Sequence, residues 1–313
     1  MPHYGDYQNE IYFRGLQGRV PSLPVDFATL EARAATALPP SVLSYLQGGC
    51  GDELTQRRNA SAFEDWGMIP RMMVDCSQRD LSIELLGMTL PNPLFMAPIG
   101  INGICTQDGH GDLAAARASE LAGVSFMAST LSNDPLEAVA QAMGAQPGFF
   151  QLYTPKDEAL AQSLVSRAEA AGYKAIVVTL DTWVTGWRPR DLNTANFPQL
   201  RGAVLANYTS DPAFCAMLAK PPQEDGAAVV RQWAATFGRC TDVGRSAVAA
   251  LADHAAAHPQ GHLPSRRCPA SDRRWRGRNL LFEPRRTAGQ WRDCCDRCAA
   301  RRRRRSGFNA RTV

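Results

Sequence analysis

Short apolar runs in this sequence end, one after another, on residues able to bind a ligand: Gly100 after MAPI, Ser129 and Thr130 after FMA, Gln151 and Tyr153 in FFQLY, Thr179 and Asp181 in VVTLDT. Hydroxyls, an amide, a phenol and a carboxyl together supply hydrogen-bond donors and acceptors. In parallel α/β architectures ligands settle at the carboxyl ends of strands, where loops and free backbone groups converge. Taken singly, each residue has a plainer role: a strand-end hydroxyl such as Ser129 or Thr130 can cap the next helix. Four such ends in succession point to a site.

For those ends to converge, the apolar runs must be neighbouring strands. PLFMAPIG, VSFMAST, GFFQLY and KAIVVTLDT are continuous apolar runs, and DGHGDLAAARASELAG, PLEAVAQAM and KDEALAQSLVSRAEAAG between them have helical periodicity. Fully apolar strands alternating with helices indicate parallel βα units covered on both faces. Doubly wound sheets and (β/α)₈ barrels both satisfy that alternation.

Upstream, residues 1–92 read as a helical cap and a connecting segment. Asp26 is a candidate N-cap, the Pro39-Pro40 pair opens a second helix, and Gly48-Gly49 stops it. Residues 93–239 hold the βα pattern, with a polar, proline-marked, loop-like stretch at roughly 184–230 before a helix in AAVVRQWAATFG. Beyond Arg239 the pattern stops: residues 240–313 contain no isoleucine, tyrosine or methionine and culminate in RRRRR at 301–305.

At 313 residues the chain can bury a sizeable core, and 45% hydrophobic with 20% charged residues is ordinary globular composition. Nine cysteines without a regular framework suit a reducing compartment. With no secretion signal and no apolar run long enough for a bilayer, the expectation is a cytoplasmic protein without a membrane partner. The net charge of +4 is concentrated in the tail, so a nucleic-acid arm must be weighed there.

LPPSVLSYLQGG, MAPIG, FFQLY and VVTLDTWVTGWRPRDL, in collinear order over about residues 10–239, resemble the FMN-dependent 2-hydroxy-acid oxidising family. Within it, GWRPRDLNTANFP and the long loop after it are most similar to the lactate 2-monooxygenase branch. The resemblance implies a (β/α)₈ barrel with FMN at the carboxyl ends of its strands, a homo-oligomer, and a small 2-hydroxy acid and O₂ as reactants. It implies that Pro98, Ile99 and Gly100 lie against the flavin and that Ser129, Gln151 and Thr179 bond its polar edge. Tyr45 and Arg188 would hold the substrate carboxylate, Tyr153 would stand beside the substrate, and Asp181 would orient the family's catalytic histidine. No metal is implied. Gly100 stands where many oxidases of the family have alanine, which suits the monooxygenase branch; an L-lactate dehydrogenase, an oxidase or a glycolate-oxidase-like enzyme is the alternative. Without the resemblance, Tyr45 could simply anchor a helix through its ring, and Arg188 could be a loop arginine paired with Asp191.

The family's later motifs, a lysine in L-K-G-I and a histidine and arginine in S-N-H-G-G-R-Q, do not occur, and none of the five histidines has such a context. Synonymous codons for residues 258–292, read one nucleotide out of step, can spell I-L-K-G-I, then G-G-V-D-G-I-Y-C-S-N-H-G-G-R-Q-A-N, in family order. The tail is therefore read as frameshifted from near Arg239–Cys240. On this reading the chain is a truncated half-barrel of about four βα units with a non-native, disordered tail, inactive for want of its base. Its fourth strand would then present an unpaired edge. Competing readings are a non-catalytic remnant, a basic nucleic-acid-binding tail, and zinc ligation by Cys268 and DCCDRC. The tail arginines show no helical face, and the cysteines lack paired C-x₂-C spacing.

Overall fold

The computed structural model describes residues 6–179, 182, 184–237 and, as backbone strand, 279–282. The chain opens with α1 (Asp6–Gly15), α2 (Phe27–Ala37) and α3 (Pro40–Gln47). Asp26 caps α2, its Oδ1 accepting from Thr29 N at 2.9 Å; Pro39 and Pro40 start α3 and Gly48 ends it, all as the sequence predicts. Then come α4 (Leu54–Ser61) and an extended stretch in which Trp66, Met68, Ile69, Met72 and Met73 are exposed. The hairpin of β1 (Ile83–Leu85) and β2 (Met88–Leu90) is next, turning at Leu86-Gly87 with φ of 52° and 78°. Consecutive positive φ values form the tight turn whose twist suits two strands.

The βα rhythm starts at β3 (Phe95–Met96) and proceeds through α5 (Gly111–Ala122), β4 (Ser125–Ala128), α6 (Leu136–Ala142), β5 (Gly148–Leu152), α7 (Glu158–Ala170) and β6 (Ala175–Thr179). Gly123, at φ 65°, ends α5 in the left-handed cap that glycine adopts without strain. Strands β3 to β6 pair in chain order, all parallel.

Beyond β6 the structure departs from the sequence expectation twice. The stretch at 184–230 is not loop-like. It forms α8 (Pro189–Thr194), a tight turn at Pro198–Arg201, α9 (Ala206–Thr209), α10 (Pro212–Cys215) and the start of α11 (Gly226–Thr236). Pro189, Pro198 and Pro212 sit at helix starts, where a fixed φ and a missing N–H cost nothing, so prolines with the look of loop marks are initiators. Nor is the β6 edge unpaired: β7 (Asn279–Phe282) runs antiparallel along it, with Ile176 opposite Phe282 and Thr179 opposite Asn279. The rest of the tail lies outside the described residues.

The chain divides into two compact units, Met1–Leu54 with Arg188–Asn196, and Thr55–Trp187 with Phe197–Val313. In the first, α3 packs on α8, where Asn196 Nδ2 donates to Ser41 O at 2.9 Å and Arg190 Nε lies 2.7 Å from Glu53. In the second, the two-residue period of the strands sorts the core into layers. Phe150, Leu152, Ile176 and Val178 face the helices, joining Leu136, Leu160, Leu164, Tyr208, Phe214 and Trp233. Phe149, Ala175 and Val177 face the other way, against Leu85, Leu86 and Met88 of the hairpin region.

Candidate flavin site

The same period continues the second layer into polar residues at the strand ends. Met127 is followed on its face by Ser129, Phe149 by Gln151, and Val177 by Thr179. Ser129, Gln151 and Thr179 are 5%, 2% and 7% exposed, so their polar atoms must be paired or meet a ligand. They form one line across three strands. Ser129 Oγ donates to Gln151 Oε1 at 3.1 Å, and Gln151 Nε2 donates to Thr179 Oγ1 at 2.8 Å. Ser129 Oγ also accepts from Leu131 N at 3.1 Å, and Gln151 Oε1 accepts from Thr130 N at 3.2 Å.

Thr130 does different work: its hydroxyl donates to Gln151 O at 2.5 Å and accepts from Tyr153 N at 3.0 Å, joining the ends of β4 and β5. The ring of Tyr153 packs edge-on against Phe237, centroids 5.2 Å apart. Pro98 and Gly100 are half-buried and Ile99 is exposed in the turn after β3. A methyl on Gly100 would stand 3.2 Å from Leu131 Cβ and 3.4 Å from Ser129 Oγ, so the turn backbone lies close against the start of the polar line.

Tyr45 and Arg188 meet within the first unit. The guanidinium lies 4.6 Å from the Tyr45 ring centroid, a cation–π distance, and Nη2 donates to Tyr45 O at 2.6 Å and Gly48 O at 2.8 Å. Arg188 Nε is also 2.8 Å from Asp191 Oδ2. Burial pushes the Asp191 carboxyl above its ordinary range, while the Arg188 charge opposes that shift. The plainer role of Arg188, paired with Asp191, is thus present in the structure beside its contact with Tyr45. Asp181 lies outside the described residues.

One polar pair carries no mark in the sequence. His110 Nδ1 lies 2.7 Å from Asp134 Oδ1, and the hydrogen bond and charge of that buried carboxylate raise the imidazole pKa above its usual 6.5. The partners are 24 positions apart, so no local pattern reveals them. Among the described residues no cluster of histidine, cysteine and carboxylate could hold a metal, and no helix is long and apolar enough to cross a membrane.

A profile of the FMN-dependent dehydrogenase family matches residues 34–259, and the chain belongs to that family. The match runs past the boundary expected at Arg239. An L-lactate oxidase of Lysinibacillus sphaericus is 39% identical over 209 residues, covering 67% of this chain and 53% of the oxidase. An FMN-dependent alpha-hydroxy acid dehydrogenase of Penicillium citrinum is 36% identical over 213 residues, covering 68% and 52%. The crystal structure of a mandelate oxidase superposes with a TM-score of 0.58 at 32% identity, over 72% of this chain and 59% of that one. The chain therefore spans about half the length of the curated relatives it matches.

The strand-end residues suit the family's cofactor. A flavin ring presents alternating carbonyl and N–H groups along its polar edge, and a primary amide flanked by two hydroxyls offers donors and acceptors in a row. Their burial excludes competing water.

Proposed function

We propose that this chain carries the flavin-binding half of an enzyme that oxidises a small L-2-hydroxy acid, with lactate 2-monooxygenase (lactate and O₂ to acetate, CO₂ and water) as the particular activity. The observation that carries the reading is the buried Ser129–Gln151–Thr179 line at the carboxyl ends of three adjacent parallel strands. FMN, when bound, supplies the electron acceptor.

The chain's own residues divide the remaining work. Ser129, Gln151 and Thr179 hold the polar edge of the ring, and the backbone of Pro98, Ile99 and Gly100 lies against it. Tyr45 and Arg188 supply a phenol and a cation for the substrate carboxylate, the pairing such a group requires, and Tyr153 stands beside the substrate. Asp181 orients a histidine for which this chain has no counterpart. Gly100 favours the monooxygenase branch, because its missing methyl leaves room near the reactive edge of the flavin. The name of the Lysinibacillus sphaericus relative favours a second reading, L-lactate oxidase. We further propose that residues from Cys240 onward are translated out of frame and that the chain does not turn over lactate.

Titrating the purified 313-residue chain with FMN, then adding lactate without air, tests these statements together. The expected result is quenching of flavin fluorescence at about one FMN per chain, with no bleaching by lactate. Absence of quenching removes the flavin site, and lactate-dependent bleaching removes the proposed loss of activity. Nucleotide sequencing across codons 239 and 240 decides the reading frame: stops in the alternative frame overturn the shift.

A further inference from the structure

The segment between α8 and α11 holds none of the residues assigned above, yet it reaches the strand ends from outside the sheet. Asn207 is fully buried. Its Oδ1 accepts from Leu136 N at 2.7 Å, and its Nδ2 donates to Thr130 O at 3.0 Å and Ser129 O at 3.2 Å. Those two carbonyls lie just past the end of β4, where the chain turns away and ladder partners run out. Three groups are thus satisfied by one planar amide, which alone among small side chains combines an acceptor with two donors.

The contact is reinforced nearby. Ala206 N donates to Ser132 O at 2.9 Å, and Leu205 forms a parallel bridge with Ser132. Val204 N donates to Asn133 Oδ1 at 2.8 Å while Val204 itself sits at φ 57°. A β-branched residue in the left-handed region is strained, and such strain persists only where the surroundings impose it.

We infer that Asn207 is a positioning residue for the flavin-binding line, fixing the turn at Ser129 and Thr130 so that the Ser129 hydroxyl meets Gln151 Oε1. The inference rests on the flavin site proposed above. The chain of contacts is continuous: the Asn207 amide sets the Ser129 and Thr130 carbonyls, the Ser129 hydroxyl and Thr130 N–H hold Gln151 Oε1, and Gln151 Nε2 reaches Thr179. Replacement by aspartate keeps the size but sets a carboxylate against two carbonyl oxygens.

The test monitors the Gln151 side-chain amide by NMR in the full chain, with thermal unfolding and FMN titration in parallel. In Asn207→Asp the Gln151 amide resonances are expected to move, their hydrogen exchange to quicken about tenfold, and FMN affinity to fall about tenfold, as loss of one buried hydrogen-bond set entails. Asp225→Ala, which removes the N-cap of α11 where Asp225 Oδ1 accepts from Ala228 N at 2.8 Å, is the structural control; it lowers the melting temperature and leaves the Gln151 resonances in place. If Asn207→Asp does not fold, Asn207→Ser is read the same way. A folded Asn207 variant with unchanged Gln151 resonances overturns the inference, as does Asp225→Ala moving them equally. If the unaltered chain takes up no FMN, the flavin reading falls, while the Gln151 resonances still decide the role of Asn207.

Discussion

Helix α2 of the N-terminal region and helix α7 of the βα core start in the same way and lie in opposite environments. Asp26 caps α2 by accepting from Thr29 N at 2.9 Å, and Asp157 caps α7 by accepting from Leu160 N at 2.8 Å. Yet α1, α2 and α3 bury none of their side chains, whereas α7 buries Leu160, Ala161, Leu164, Val165 and Ala168 against the sheet. A cap is local and works wherever an orphan N–H exists. Burial requires a surface to meet, and in the second unit that surface is the parallel sheet.

The widest expected contrast is therefore in stability. Phe150→Ala, at a fully buried position, should cost about 3–5 kcal/mol, while Phe13→Ala, at an exposed one, should stay within about 0.5 kcal/mol. Urea unfolding measures both, and equal costs would erase the distinction between the regions.

A smaller effect sharpens the comparison within the core. Arg167 binds Glu137 through two bonds of 2.8 and 2.9 Å, and also reaches Asn207 O, Ser210 Oγ and the buried Asp211 carboxylate at 3.0 Å. Arg167→Ala leaves Asp211 without its cation and should cost about 2 kcal/mol, tempered by the half-exposed Glu137 end of the network. In the first unit, Arg190→Ala removes the more exposed pair with Glu53 and should change the same unfolding free energy by less than about 1 kcal/mol. An Arg190 effect as large as that of Arg167 would contradict this ordering.

The smallest expected effect is a pH dependence. Because Asp134 raises the folded-state pKa of His110 above 6.5, the pair stabilises the fold fully below pH 6.5. That contribution is lost as pH rises through the raised value. Melting temperatures across this range should fall with pH in the unaltered chain more than in His110→Asn, and parallel curves would show that the pair contributes nothing.

Much of the fold is legible from local pattern. The strands at 125–128, 148–152 and 175–179, the helices between them, and the caps at Asp26, Gly48 and Gly123 arise from apolar runs, glycine stops and proline starts. Period two also places Ser129, Gln151 and Thr179 on one face once the strands are neighbours. The short helices after β6 are hidden because their prolines and polar residues have the composition of a loop. Asn207 is polar and fully buried because its amide serves backbone groups 71 to 78 residues away. The pairing of Asn279–Phe282 with β6 likewise joins segments roughly a hundred residues apart, with no local signal at either end.

The sequence by itself determined where the strands β3 to β6 and the helices between them begin, which side of each of those strands is polar at its end, and the family to which those motifs belong. These depend on backbone geometry and side-chain periods that act within a few residues. Tertiary structure alone decided that Gln151 bridges Ser129 and Thr179, that Asn207 holds the end of β4, and that His110 meets Asp134. Each of these joins groups far apart in the chain, and only folding brings them within hydrogen-bond distance.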